Sequence, residues 1–258
     1  MTWGLPYAGN GVVHGVLVGL GIAAALVFYA LEKRRRGLDD PRLWALAGFA
    51  VAFGAIGSRI TWDPTRSVSP VDWWTEGDRS ILAGLVGAWL GVHLGKRLVG
   101  YRASTGDLFA PAVALAMAIG RIGCLLTELP GTPTGGAWGI TLTPQQAAMF
   151  AAPAGVGLHP SFAYEIVFHA AAFALMIRYR GRVRRSGDLF VLYVSAYALF
   201  RFAVEFVRGN EDLWLGMSRP QWFLLAMLPL LAWRVRKVLA GPRTEEAAAS
   251  SRAPGEPA

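Results

Sequence analysis

The chain has 258 residues, 54% hydrophobic and 16% charged, with a formal net charge of +8. A soluble domain of this length can bury a good core without repeated apolar runs of bilayer-crossing length, so the composition favours one all-α integral membrane protein. The single cysteine, Cys124, excludes an intrachain disulfide and a cysteine-based metal cluster; no metal and no cofactor are expected.

Seven apolar runs follow one another, at about 11–31, 43–61, 80–99, 108–127, 159–178, 188–207 and 219–239. Each is predicted as a transmembrane helix. Residues 1–240 then form a seven-helix domain. The Pro-, Ala- and Ser-rich segment 241–258 is expected to be a disordered cytoplasmic tail.

The first run is not expected to be a cleavable signal, because its positive charge follows it as Lys33, Arg34, Arg35 and Arg36. Basic residues recur in alternate connections. Arg42 joins the first group; Lys96, Arg97 and Arg102 follow the third run. Arg178, Arg180, Arg182, Arg184 and Arg185 follow the fifth, and Arg234, Arg236, Lys237, Arg243 and Arg252 close the chain. These are eighteen of the twenty-five Lys and Arg residues, whereas the connection after the second run carries Asp63, Asp72, Glu76 and Asp78. Positive charge beside membrane spans stays cytoplasmic. The N-terminus is therefore predicted outside and the C-terminus inside. The basic balance is topological, and no nucleic-acid partner is expected.

With that orientation the ionisable residues inside the runs fall at one depth. A charge at mid-bilayer costs roughly 3 kcal/mol on insertion scales, so such residues mark function more often than accident. His14 lies near the outer end of the first run, and Gly57, Ser58 and Arg59 close the second outward. The fourth carries Arg121 between Gly120 and Gly123, small residues that let helices approach closely. The fifth opens HPSFAYE, giving His159, Glu165 about two turns down, and His169 four residues later on the same face. In the sixth, Tyr197, Arg201, Glu205 and Arg208 fall within an arc of roughly 80° at about 100° per residue. The inner half holds little that ionises apart from His93, which is read as structural.

Several arginines converging near the outer-leaflet headgroups suit an anionic phospholipid, since Arg pairs with phosphate bidentately and stays charged when buried. A channel or transporter needs polar groups along the whole crossing. A retinal protein needs a Schiff-base lysine inside the last helix, where the only lysine, Lys237, sits at the cytoplasmic end.

The motifs resemble those of prolipoprotein diacylglyceryl transferases, in order through most of the chain. G-S-R at 57–59 is similar to the family's G-A-R, and RSILAGLVGAWLG at 79–91 to its glycine-rich third helix. GRIG at 120–123 resembles the start of G-R-x-G-N-F-x-N-G-E. HPSFAYE at 159–165 is similar to H-P-[ST]-x-x-Y-E, YALFRFAVEFVR at 197–208 to Y-G-x-x-R-F-x-x-E-x-x-R, and GMSRPQW at 216–222 to G-[LM]-[ST]-x-x-Q. The resemblance implies a multi-pass enzyme of the bacterial inner membrane. It would move the diacylglyceryl group of phosphatidylglycerol to the lipobox cysteine in the signal peptide of a preprolipoprotein. A thioether forms and glycerol phosphate leaves. By the same resemblance Arg121, Arg201 and Glu205 are the expected catalytic residues. Arg59, His159, Glu165, Tyr197 and Arg208 are expected to bind substrate. Glu205 is expected to hold both Arg201 and Arg208, and Tyr197 to hydrogen-bond the phosphate or the glycerol.

Two departures stand against that pattern. The family's S-F-H-G-G becomes Ser80, Ile81, Leu82, Ala83 and Gly84, so leucine replaces the histidine proposed to assist catalysis. His14, His159 or His169 substitutes for it, or the arginine field alone activates the thiol, or the reaction has changed. After GRIG, N-F-x-N-G-E becomes Cys124, Leu125, Leu126, Thr127, Glu128 and Leu129, with both asparagines gone and the acid moved by one position. Cys124 is read as a small buried residue with an inert thiol. The Gly- and Pro-rich stretch 128–158 covers the site, receives the peptide, or is a variable surface loop. The alternative function is a related membrane protein that binds an anionic phospholipid headgroup with altered or lost transfer.

Overall fold

The computed structural model describes residues 2–59, 80–182 and 186–240. The acidic connection at 63–78, Arg184, Arg185 and the tail 241–258 with Arg243 and Arg252 lie outside the described residues. Each of the seven apolar runs is a helix: α1 (Gly11–Arg35), α2 (Arg42–Ser58), α3 (Ile81–Leu98), α4 (Gly106–Thr127), α6 (Ser161–Tyr179), α7 (Asp188–Glu205) and α8 (Arg219–Ala240). Three stretches among the described residues, Gly11–Arg35, Gly106–Thr127 and Ser161–Arg182, are long and apolar enough to cross a membrane. Helix α1 leaves Val12, Val16, Leu20, Val27 and Leu31 more than half exposed along one side, a surface that lipid covers and water would not.

The chain divides into two compact units, one running to Glu32 and resuming at Ser104, the other Lys33–Ala103. In the smaller unit α2 and α3 pack through glycines. A Cβ on Gly57 would meet the Ala83 carbonyl oxygen at 2.7 Å, and one on Gly87 would meet that of Phe53 at 2.4 Å. Ser80 caps α3 by accepting from the Ala83 N–H and donates its own N–H to the Ser58 carbonyl. Arg42 clasps Asp40 and holds that carboxyl below the usual carboxylate range. Gly87→Ala should destabilise this helix pair by about 1–3 kcal/mol, because overpacking against backbone outweighs the gain in helix propensity. A lowered melting temperature of the purified protein in detergent would show it; an unchanged one would mean that the helices can separate freely.

The larger unit carries the candidate site. Asn10 starts α1 by accepting from the N–H groups of Val12 and Val13. Gly21 and Gly123 bring α1 against α4: a Cβ on Gly21 would stand 2.7 Å from the Ala116 oxygen, and one on Gly123 3.3 Å from the His14 oxygen. Gly120, expected to do the same, has only Val18 within 4 Å. Helices α4, α6 and α7 share a core of Ala110, Ala114, Met176, Leu189 and Tyr193. Asp107 of α4 accepts from the Leu189 N–H at 3.0 Å and so caps α7 from a neighbouring helix. The buried Glu32 at the end of α1 is paired with Arg180, just past α6.

The stretch 128–158 is folded. Strand β1 (Thr2–Gly4) pairs in parallel with β2 (Gly139–Thr141), and the short helix α5 (Pro144–Phe150) follows. Thr143 and Gln146 form a reciprocal capping box, and Gln146 also donates to the Leu5 carbonyl at 2.7 Å. Leu5, Ile140, Leu142, Ala147 and Leu158 make a small core of their own. The stretch is tied down where α6 begins and α7 ends: Gly131 donates to the His159 carbonyl and Thr132 to that of Val207. A side chain at 131 would stand 1.9 Å from the Val207 oxygen, so glycine is required there. After α7 a hairpin of β3 (Asp212–Trp214) and β4 (Met217–Ser218) leads into α8.

Candidate active site

Glu165, on the second turn of α6, has no solvent exposure, and both its oxygens are occupied. Oε1 accepts from Arg208 Nη1 at 2.7 Å. Oε2 accepts from Arg121 Nη2 at 2.7 Å and from the Tyr197 hydroxyl at 3.0 Å. Arg121 thereby bridges α4 to α6, and its Nη2 also lies 3.5 Å from the Tyr197 hydroxyl on α7. Phe162, one turn before Glu165, lays its ring under two guanidinium groups, 4.3 Å from that of Arg208 and 5.8 Å from that of Arg121.

A second ion pair joins Arg201 to Glu205, one turn apart on α7 and both buried. Glu205 is held from below as well. The Ser218 hydroxyl donates to its Oε1 at 2.6 Å and the Asn210 amide at 2.5 Å. Gln221 in turn accepts from the Ser218 N–H at 2.9 Å. The five charged side chains carry three positive and two negative charges, one net positive charge in a desolvated setting. Among the described residues the Nε groups of Arg121 and Arg201 are buried donors with no hydrogen-bond partner. Buried N–H groups are rarely left so.

Most of the expected site residues are therefore brought together: Arg121, Glu165, Tyr197, Arg201, Glu205 and Arg208. The internal assignments differ from the expectation. Glu205 holds Arg201 but not Arg208, which reaches Glu165 instead. After α7 ends at Glu205, Phe206, Val207 and Arg208 continue in tighter turns, each N–H bonding to the carbonyl three residues back, so the 100° spacing no longer applies. Tyr197 gives its hydroxyl proton to Glu165. The His159 side chain is engaged elsewhere, its Nδ1 3.0 Å from the Tyr164 hydroxyl and its ring edge-on to Trp138. Arg59 follows α2 in the other compact unit, where its N–H bonds to the carbonyls of Ile56 and Gly57.

Sequence reading missed Phe162, Asn210 and Ser218. The i, i+3 spacing from Phe162 to Glu165 was the available signal for the first. Ser218 holds the Ser/Thr position of the 216–222 motif, which was its signal, whereas nothing marks Asn210, which lies outside the helices. His169 is fully buried with its Nδ1 3.0 Å from the Tyr193 hydroxyl. The His14, Cys124 and Glu128 ligand atoms lie within 4.8 Å of one another, close enough to share a cation. Arg121 Nη1 sits 3.7 Å from the Cys124 sulfur, and that fixed positive charge opposes a metal ion there.

Comparison with known proteins agrees with the motifs. The profile of the family described as prolipoprotein diacylglyceryl transferase matches residues 12–235. A phosphatidylglycerol–prolipoprotein diacylglyceryl transferase of Dehalococcoides mccartyi is 33% identical over 240 residues, covering 87% of this chain and 89% of the relative. One from a second strain of that species is 29% identical over 239 residues, with the same coverage. The Frankia alni protein of that name is 32% identical over 241 residues, covering 84% of this chain and 63% of its own. With the profile spanning almost all of the helical part, and with the arginines of its motifs gathered around two buried carboxylates, the chain belongs to the prolipoprotein diacylglyceryl transferase family.

Proposed function

We propose that the protein transfers the diacylglyceryl group of phosphatidylglycerol to the lipobox cysteine thiol of preprolipoproteins. It acts from the bacterial inner membrane, with seven spans, its N-terminus outside and its C-terminus inside. The observation that carries this reading is the buried arginine network with one net positive charge and two unpartnered guanidinium N–H donors. A phosphodiester is the anion such donors fit.

In the reaction the acceptor sulfur bonds to the glycerol carbon of the diacylglyceryl group, and the bond from that carbon to the phosphate oxygen breaks. Charge develops on the departing glycerol phosphate. Donors fixed in place before the reaction stabilise such charge without reorganising. Glu165 and Glu205 act as orienting counter-charges that keep Arg121, Arg208 and Arg201 from folding back on the protein. Arg59 and His159 supply further contacts to lipid or peptide.

A second reading keeps the lipid site but alters or loses the transfer; Leu82 in place of the family's histidine favours it. One assay separates the two. The purified protein is incubated with labelled phosphatidylglycerol and a lipobox peptide, with Arg201→Ala as the control. Thioether product that the control fails to make establishes the transferase. Lipid binding that depends on Arg201, without product, establishes the second reading.

A further inference from the structure

The missing histidine leaves open what takes the proton from the acceptor thiol. The chain has four histidines. His93 sits in the smaller unit with its Nδ1 against its own helix, 2.8 Å from the Trp89 carbonyl oxygen. His169 has no solvent exposure, and its Nδ1 is taken by Tyr193. His159 is engaged by Tyr164 and Trp138.

His14 differs from all three. Its Nδ1 lies 3.2 Å from Glu128 Oε1, and among the described residues it is the one histidine within ion-pair distance of a carboxylate. Its side chain keeps 16% exposure, so an incoming group can reach it. The pair also borders the charge network. The Cys124 sulfur lies within 4.8 Å of both ligand atoms and 3.7 Å from Arg121 Nη1. A histidine with one ring nitrogen facing a carboxylate can use the other as a general base. The Nδ1–H and the carboxylate are close but not aligned, and such pairs tighten when substrate is bound.

The geometry points to His14, oriented by Glu128, as the base for the acceptor cysteine, an assignment that rests on the transferase reading above. The proton passes from the cysteine sulfur to His14 Nε2. The sulfur then forms the C–S bond as the C–O bond breaks, its electron pair leaving with the phosphate. The departing glycerol phosphate takes up the proton, which returns His14 to its neutral form. His14 is the catalytic residue, and Glu128 is a positioning residue.

The test compares two acceptor peptides, identical but for cysteine or selenocysteine in the lipobox. A selenol is ionised at neutral pH and needs no base. With the cysteine peptide, His14→Gln should lower kcat by about 100-fold or more, with KM for phosphatidylglycerol within about twofold. With the selenocysteine peptide the same variant should work nearly as well as wild type. Glu128→Gln should show a smaller loss with the same peptide dependence, and Glu128→Asp should restore most of the activity. Full activity of His14→Gln on the cysteine peptide would overturn the assignment, as would an equal loss on both peptides. Should His14→Gln fail to fold, the peptide ratio for Glu128→Gln carries the same decision. A wild-type protein inactive on both peptides would instead sink the transferase reading itself.

Discussion

Glu165→Ala should abolish transfer and destabilise the protein by about 3–5 kcal/mol, the cost of stranding a buried charge by removing its partner. The carboxylate is wholly buried and serves Arg121, Arg208 and Tyr197, which arrive from α4, the segment after α7, and α7 itself. Its loss leaves two guanidinium groups without a counter-charge beside the Phe162 ring. Glu165→Gln keeps the shape and one acceptor oxygen but loses the charge, so it should fall between wild type and the alanine variant in both stability and rate. Thermal unfolding in detergent measures the first quantity and the peptide assay the second. An alanine variant that melts with wild type would show that Glu165 is not the centre of the network.

Arg201→Ala should lower kcat by about 10²–10³-fold, the range found when one preorganised donor to a developing anion is removed. The structural cost should be smaller than at Glu165, because Ser218 and Asn210 still hold the Glu205 carboxylate. The electrical cost is larger than one contact suggests. Two arginines against two carboxylates leave the network neutral, and a neutral network has no net attraction for a phosphodiester. Arg201→Lys should recover little. Its compact ammonium cannot offer the planar set of donors that serves a carboxylate on one side and a phosphate on the other. A lysine variant with near-normal kcat would mean that only the charge at position 201 matters.

The helices were legible because apolar runs near twenty residues have few other uses, and every run is a helix to within a few residues. The boundary errors have local causes. Helix α1 runs on to Arg35 because Lys33, Arg34 and Arg35 complement the negative end of the helix dipole. Helix α6 starts only at Ser161 because Pro160 stands at its N-cap. The site residues were legible because a charge in an apolar run demands a reason. Which charge meets which was not legible: Arg208 lies one turn past Glu205, yet its guanidinium reaches across to Glu165 on α6, a partner that no local spacing announces. The fold of 128–158 was hidden for a different reason. Its order comes from pairing with Thr2–Gly4 and Leu5, more than 130 residues away in sequence, and no local pattern announces such a partner.

That pairing also constrains how the molecule is made. The parallel ladder cannot close until Gly139–Thr141 has been synthesised. At about 5–20 residues per second, Thr2–Gly4 waits roughly 7–30 s with its edge unpaired while later helices are built. Anything that delays elongation in that interval prolongs the exposure of an open strand, so biogenesis of this protein is coupled to ribosome pace at its N-terminal strand. Codon choice between the first helix and position 141 should therefore affect the yield of folded protein more than codon choice after it.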